Sequence, residues 1–289
     1  MGYTYNIEYG NNYVIIKDIE DFDLSSTFDN GQCFRWNKTE NDSYIGVAMN
    51  KTVEVYRDRC NLIIKNTDKK DFNDIWYRYF TLDVDYSKIK KVLSNDPFIK
   101  KSIEYSPGLR LLRQDFYETL ISFILSSNNN IQRIKKIINN ICMAAGNVIS
   151  YENKNYYSFP DLQNLQKFTV EDFNDFGAGY RSKYLVNTIK SLCCEKPDLN
   201  MLENGSLQSA RKSLQEYAGI GLKVADCILL YSGLRYDVFP ADVWIRKIVC
   251  SYTNLKDCPE KIVEYAAQVY GDYAGFAQQY LFHYARFNL

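Results

Sequence analysis

The chain has 289 residues, and its 35 Lys+Arg are balanced by 35 Asp+Glu. Neutrality argues against a polybasic coat protein or a histone-like binder, but leaves DNA binding open to a local patch or to backbone amides that hold phosphates. The length suits one large or two smaller domains, and a hydrophobic fraction of 46% supplies a buried core. Aromatic residues make up 15%, mainly 25 Tyr and 16 Phe; most belong in the core, though a tyrosine face also suits stacking on bases. Eight scattered cysteines form no CxxC pair, which argues against a zinc ribbon, and the C-terminal end lacks the four-cysteine spacing of an iron–sulfur cluster. With no apolar signal core and no apolar run of about 18 residues, a soluble, intracellular protein with reduced thiols is expected.

The first third alternates with period two. Strands are expected at 13–16, 44–48, 52–56 and 61–65, with Asn-Asp and Arg-Asp turns between them, and antiparallel pairing is the simplest arrangement. The period changes after Asp71. A short helix at 86–95 should stop at Asp96-Pro97. Asp115 opens a helical half, in which Phe116, Leu120, Ile121, Phe123 and Ile124 make one apolar face. The chain breaks at Ser126-Ser127-Asn128-Asn129-Asn130, and a second helix carries Ile131, Ile134, Ile137, Ile138 and Ile141 on one side. Gly177-Ala178-Gly179-Tyr180 turns into a helix at 181–193, two further helices flank Ala218–Leu222, and a last one starts near Ala274. The expected fold is α+β: an antiparallel β-domain (1–112) packed on an all-helical region (113–289).

The strongest local signal is Tyr217-Ala218-Gly219-Ile220-Gly221-Leu222-Lys223-Val224-Ala225-Asp226. One helix ends, two glycines turn the chain sharply, and another helix starts. Gly219 and Gly221 let backbone amides approach a phosphate, and the helix start adds its positive dipole end. This is the pattern of a helix-hairpin-helix, spanning about 207–234; an ordinary helix corner has the same Gly-x-Gly spacing. Lys223 opens the second helix. Asp242 follows in Phe239-Pro240-Ala241-Asp242-Val243-Trp244, where Pro240 blocks a helix and Asp242 can cap the next one. Each has a plain reading, a solvated or phosphate-bound lysine and an N-cap. Together they have a chemical one. A helix start disfavours an ammonium and so favours the free amine that nucleophilic attack requires. A carboxylate stabilises the positive charge that develops on a deoxyribose as its base departs.

The hairpin, Lys223 and Asp242 resemble those of the helix-hairpin-helix DNA glycosylase superfamily, and Lys223 marks its bifunctional branch. The resemblance to the eukaryotic-type 8-oxoguanine DNA glycosylases spans nearly the whole chain, in family order. It includes Gly31-Gln32-Cys33-Phe34-Arg35-Trp36, Tyr79-Phe80-Thr81-Leu82-Asp83-Val84, 108–115, Ser126 to Ile131, Gly179-Tyr180-Arg181 and Tyr273-Ala274-Gly275-Phe276-Ala277-Gln278. The resemblance implies that Cys227 and Phe282 sandwich an extruded base. It further implies that Gln278 meets the Watson–Crick edge and that the Gly31 carbonyl accepts the N7–H present in 8-oxoguanine and absent from guanine. Asn128, Arg133, Tyr180 and Arg181 match the family's gap-filling and opposite-base residues. Cys227 and Phe282 have plain core readings, and each arginine could serve phosphate instead.

One departure stands out: Trp244 occupies the place of a histidine that touches phosphate in the family, and Trp carries no charge. The resemblance implies a monomeric DNA glycosylase/AP lyase acting on double-stranded DNA that contains 8-oxoguanine, with no metal or organic cofactor and no membrane. An alkylated-purine glycosylase and a catalytically silent damage-binding module are the alternatives. The expected setting is DNA-associated, in the cytoplasm or nucleoid or in a nucleus.

Overall fold

The computed structural model describes residues 5–288. Its front third is a six-stranded antiparallel sheet. The spatial order is Asn6–Gly10, Tyr13–Lys17, Asn61–Lys65, Lys51–Asp58, Tyr44–Ala48 and Trp36–Lys38. Period-two alternation buries one face: Val14, Ile16, Val53, Val55, Leu62 and Ile64 are all fully buried. Val14 pairs with Ile64 and Val55 with Ile64, so a one-residue slip would turn this apolar set to solvent. Phe28, Trp36, Phe80 and Trp76 close the core, with Phe28 and Trp36 stacked at 4.1 Å between centroids. The four expected strands are present. Two more were not anticipated: Asn6–Gly10 is almost wholly unburied, so its pattern carries no apolar alternation, and Trp36–Lys38 is only three residues long.

Helix Tyr86–Leu93 stops before Asp96-Pro97 as expected, but the proline also starts something. Asp96 caps helix Pro97–Tyr105, with Pro97 at its first position, where a missing N–H costs nothing. Both helices belong to the helical core, beside the C-terminal helix. The back of the molecule is built from helices Phe116–Ser126, Ile131–Ala145, Ser182–Cys194, Leu207–Gln215, Leu222–Tyr231, Val243–Tyr252, Pro259–Tyr270 and Ala274–Asn288. The isoleucine stripe is buried at Ile134, Ile137, Ile138 and Ile141 and half-buried at Ile131. The expectation of an all-helical back is corrected at one place, a two-stranded hairpin of Val148–Tyr151 and Lys154–Tyr157. Its turn residues Glu152 and Asn153 sit at φ 47° and 59°, a left-handed pair usually announced by Asn-Gly and here by no glycine at all. Among the described residues no helix is long and apolar enough to cross a membrane.

The two layers are joined by buried polar groups rather than by grease alone. Gln32, fully buried, donates from Nε2 to the carbonyls of Thr27 and Arg110, both at 2.7 Å, and accepts the Leu112 N–H at 2.9 Å. Arg110 is buried beside it and donates to the carbonyls of Asp21 (2.5 Å) and Thr81 (2.8 Å). The chain then crosses to the helices, where the Arg113 N–H bonds the Tyr79 carbonyl and the Gln114 N–H the Tyr231 carbonyl, each at 2.9 Å. Replacing Gln32 by Ala leaves two carbonyls and one N–H unpaired in the seam. The expected loss is about 2–4 kcal/mol of unfolding free energy, read from urea denaturation; an unshifted midpoint would show that the seam does not depend on it.

Glu118 lies in the same seam, 3.5 Å from Arg35, with its side chain 14% exposed. Burial pushes its carboxyl up to about 7, and Arg35 offsets this only in part. A carboxyl raised on folding contributes most stability below its unfolded pKa, and that contribution is lost as pH rises towards the folded one. Glu118→Gln should therefore gain on the parent protein between about pH 4.5 and 7, by on the order of 2 kcal/mol. Parallel stability–pH curves for the two proteins would count against a buried titrating Glu118.

Candidate active site and DNA-contacting surface

The hairpin joins helices Leu207–Gln215 and Leu222–Tyr231. Gly219 sits at φ +83°, and a Cβ there would lie 2.9 Å from Tyr184 Cβ and Cγ. Gly221 is exposed, with nothing near its Cβ position, and it is the N-cap of the second helix without any side-chain cap. The first N–H groups of that helix are thus left for an external acceptor. Below the hairpin, Thr188 donates to the Ala218 carbonyl at 2.8 Å. The two hairpin helices are clamped by Arg211, which holds the fully buried Asp226 through two bonds of 2.6 and 2.9 Å.

Lys223, in the first turn after Gly221, and Asp242 line one cavity of about 590 Å³, together with Ser126 to Asn129, Trp244, Arg246 and Glu260. Each sits where a helix begins. Asp242 is the N-cap of Val243–Tyr252 and accepts the Ile245 N–H at 2.9 Å. Burial pushes its carboxyl above the ordinary range, against the pull of the Ile245 N–H and of Lys223. The Lys223 amine lies 5.7 Å from the centre of the Phe123 ring, and its charge acts on the Cys227 thiol one turn away. Burial raises that thiol to about 11, so Cys227 stays a neutral, packed sulfhydryl near neutral pH.

The other residues expected at a base gather behind this cavity. Gln278 is buried and donates to the Pro240 carbonyl at 3.4 Å; Tyr231 Oη lies 3.4 Å from its Oε1 but closer to Gln279 Oε1, at 2.8 Å. Both Gln278 contacts are long, so the amide remains free to exchange partners. Gly31 sits at φ +85°, and its Cβ position is 3.8 Å from the half-buried Phe282 ring. Tyr231 and Phe123, stacked at 5.0 Å, add an aromatic wall that the sequence did not single out.

The expected gap-filling and opposite-base residues come together on two adjoining loops and the first turn of helix Ile131–Ala145. Asn128 is exposed at φ 49°, and Tyr180 is 55% exposed, its hydroxyl on the Ser127 carbonyl at 3.0 Å. Arg133 is exposed and donates to the Gly177 carbonyl at 3.1 Å. Arg181 is placed differently. It is buried, and its guanidinium donates to the carbonyls of Ser127 (2.8 Å), Asn128 (2.7 Å) and Ala178 (3.2 Å), so it ties the two loops to each other. Trp244 is half-buried and carries the exposed Lys247 amine 5.2 Å from its ring centre.

A family model for the N-terminal domain of 8-oxoguanine DNA glycosylase matches residues 14–120, and one for the HhH-GPD superfamily of base excision DNA repair proteins matches residues 121–271. The N-glycosylase/DNA lyase OGG1 of Arabidopsis thaliana is 31% identical over 283 residues, covering 90% of this chain and 76% of that protein. The chain belongs to the 8-oxoguanine DNA glycosylase/lyase family. An 8-oxoguanine glycosylase/lyase of Clostridium acetobutylicum, solved with double-stranded DNA containing cytosine opposite 8-oxoG, superposes with a TM-score of 0.95 at 42% identity, over 98% of this chain and 99% of that one. A probable N-glycosylase/DNA lyase of Methanothermobacter thermautotrophicus is 30% identical over 93% of this chain and 95% of its own length. The 3-methyladenine DNA-glycosylase of Archaeoglobus fulgidus shares the fold, with a TM-score of 0.76 at 18% identity.

Three residues at the family site escaped sequence reasoning, although helical spacing pointed to them. Tyr184 stands four residues after Tyr180, meets it edge-on at 6.1 Å and supports Gly219. Arg246 stands four residues after Asp242 on the same helix face, and Tyr231 four after Cys227. Gly219→Ala should cost about 1–3 kcal/mol, because it combines a left-handed φ with a clash on Tyr184. Gly221→Ala, with space and an ordinary φ of −90°, should cost less, about 0.5–1 kcal/mol, because Ala is a poorer N-cap than Gly. Equal melting temperatures for both variants would contradict this account of the hairpin.

Proposed function

We propose that this chain extrudes 8-oxoguanine from duplex DNA, releases it with Lys223 and then nicks the strand. The reading is carried by Lys223 and Asp242 lining one cavity from two helix starts. The uncharged Lys223 amine attacks C1′ of the flipped nucleotide. The C1′–N9 bond breaks, its electron pair leaves with the base, and the base takes up a proton. Asp242, anionic, stabilises the positive charge on the sugar. Loss of the amine proton and ring opening give an imine. Removal of a C2′ proton then expels the 3′ phosphate by β-elimination. Asn128 and Tyr180, exposed beside the cavity, are the residues proposed to fill the emptied stack, and Arg133 to meet the orphaned base. Gly219 and Gly221 are proposed to hold the DNA backbone through their amides. The domain division proposed lies near residue 112, where the chain leaves the sheet seam, although helices Tyr86–Leu93 and Pro97–Tyr105 pack with the C-terminal part. The proposed setting is an intracellular, DNA-bearing compartment, consistent with eight free cysteines.

Borohydride reduction of the imine tests this directly. Parent protein incubated with an 8-oxoguanine·cytosine duplex should yield a covalent adduct, and an alkylated duplex should not. Lys223→Gln should abolish both trapping and base release while still binding the lesion duplex. Asp242→Asn keeps the helix cap, since Asn caps about as well as Asp, so its excision rate should fall by about tenfold or more while the fold survives. Adduct at the parent level in Lys223→Gln would transfer the attack to another amine, and a parent rate in Asp242→Asn would leave Asp242 as a cap alone.

A further inference from the structure

The lining of the catalytic cavity has an unusual charge balance for a surface that must receive a phosphodiester. Its carboxylates are Asp226, Asp242 and Glu260, and its cations are Lys223 and Arg246. Asp226 is matched by Arg211 from outside the lining. Lys223 must be uncharged at the moment it attacks. Arg246 is then the remaining positive charge on the cavity wall, facing two carboxylates and an incoming phosphate.

Arg246 differs from Arg113, Arg211 and Arg235. Arg113 holds Asp83 through two contacts of 2.7 and 2.6 Å, Arg211 holds Asp226 through two of 2.6 and 2.9 Å, and Arg235 holds Asp237 through two of 2.8 and 2.6 Å. These forks are closed on their carboxylates. Arg246 instead has a single contact of 3.4 Å to Asp257, whose side chain is 62% exposed, while its own is 29% exposed. A long ion pair with an exposed carboxylate contributes little, so the guanidinium can leave it at small cost. Its backbone is fixed, because the Arg246 N–H closes the first turn on the Asp242 carbonyl at 2.9 Å. Trp244, on the same wall, brings no charge, and Lys247 lies over the indole outside the cavity lining.

We propose that Arg246 is a phosphate-binding residue of the catalytic cavity, exchanging Asp257 for the phosphodiester that flanks the extruded nucleotide. This rests on the glycosylase/lyase reading above. A guanidinium suits the task because it stays charged, and its fork matches two phosphate oxygens. Asp257 is the resting partner and competes with DNA for the same group.

The test is the salt dependence of binding to a duplex carrying a tetrahydrofuran abasic analogue, measured with the full chain. Each neutralised phosphate contributes about 0.9 to the slope of log K against log salt. Arg246→Gln should lower that slope by about 0.9 and weaken binding about tenfold. Arg246→Lys should retain the slope. Asp257→Asn, which removes the competitor, should bind as tightly as the parent or more tightly. A parent slope in Arg246→Gln, a lost slope in Arg246→Lys, or weakened binding in Asp257→Asn would each overturn the proposal, the last because it makes the pair structural. Borohydride trapping by the parent protein separates the two levels. No adduct on 8-oxoguanine DNA removes the underlying reading, whereas an adduct with an unchanged slope in Arg246→Gln removes only the role of Arg246.

Discussion

Two helix starts opening on one cavity set the terms for the rest of this structure. Helix Leu222–Tyr231 brings Lys223 and helix Val243–Tyr252 brings Asp242, and each position is electrostatically opposite in kind. The positive end of a helix favours the anionic Asp242. Burial works against the carboxylate, and the Ile245 N–H and Lys223 pull it back. The result is a partly desolvated pair whose charges are set by backbone geometry, which a change of side chain elsewhere would not easily reproduce.

Such a pair works only if the two helices cannot drift. The hydrophobic core supplies this from below: Val224, Ala225 and Ile228 on one helix and Ile245, Ile248 and Val249 on the other are buried in the same cluster as Ala274, Ala277 and Leu281 of the last helix. Polar locks add direction, which apolar contact lacks. The Arg211–Asp226 fork ties the hairpin helices to each other, and Thr188 holds the Ala218 carbonyl beneath the hairpin. The Gly219 turn packs closely on Tyr184, which meets Tyr180 edge-on, so the hairpin and the tyrosine pair adjoin.

The wedge is organised on the same principle. Arg181 spends its guanidinium on the carbonyls of Ser127, Asn128 and Ala178. A buried guanidinium is expensive unless its donors are satisfied; here it satisfies carbonyls that two irregular loops could not pair for themselves. The loops are thereby held in the shape that presents Asn128 and Tyr180 to solvent. Arg133, bonded once to Gly177 and exposed, stays available for another partner.

The amino-acid sequence by itself determined the local elements and the chemistry-bearing positions. Period-two apolar runs marked the four central strands, Asp115 and Asp242 marked helix starts, and Gly-x-Gly followed by Lys223 marked the hairpin, because each of these is a short-range steric or hydrogen-bonding rule. Where the local signal was weak, the reading missed: the edge strand Asn6–Gly10 has no buried alternation, and the Glu152-Asn153 turn has no glycine. Only the tertiary structure decided what Gln32 and Arg181 hold together. Gln32 sits in a motif that resembles a base-contact loop, yet its side chain bonds partners 78 and 80 positions away. Arg181 and Arg133 look alike in one dimension, and one is buried and tied to three carbonyls while the other is exposed and bonded to one. The difference lies in which carbonyls the fold leaves unpaired nearby, a property of loops brought together from distant parts of the chain, and no local spacing encodes it.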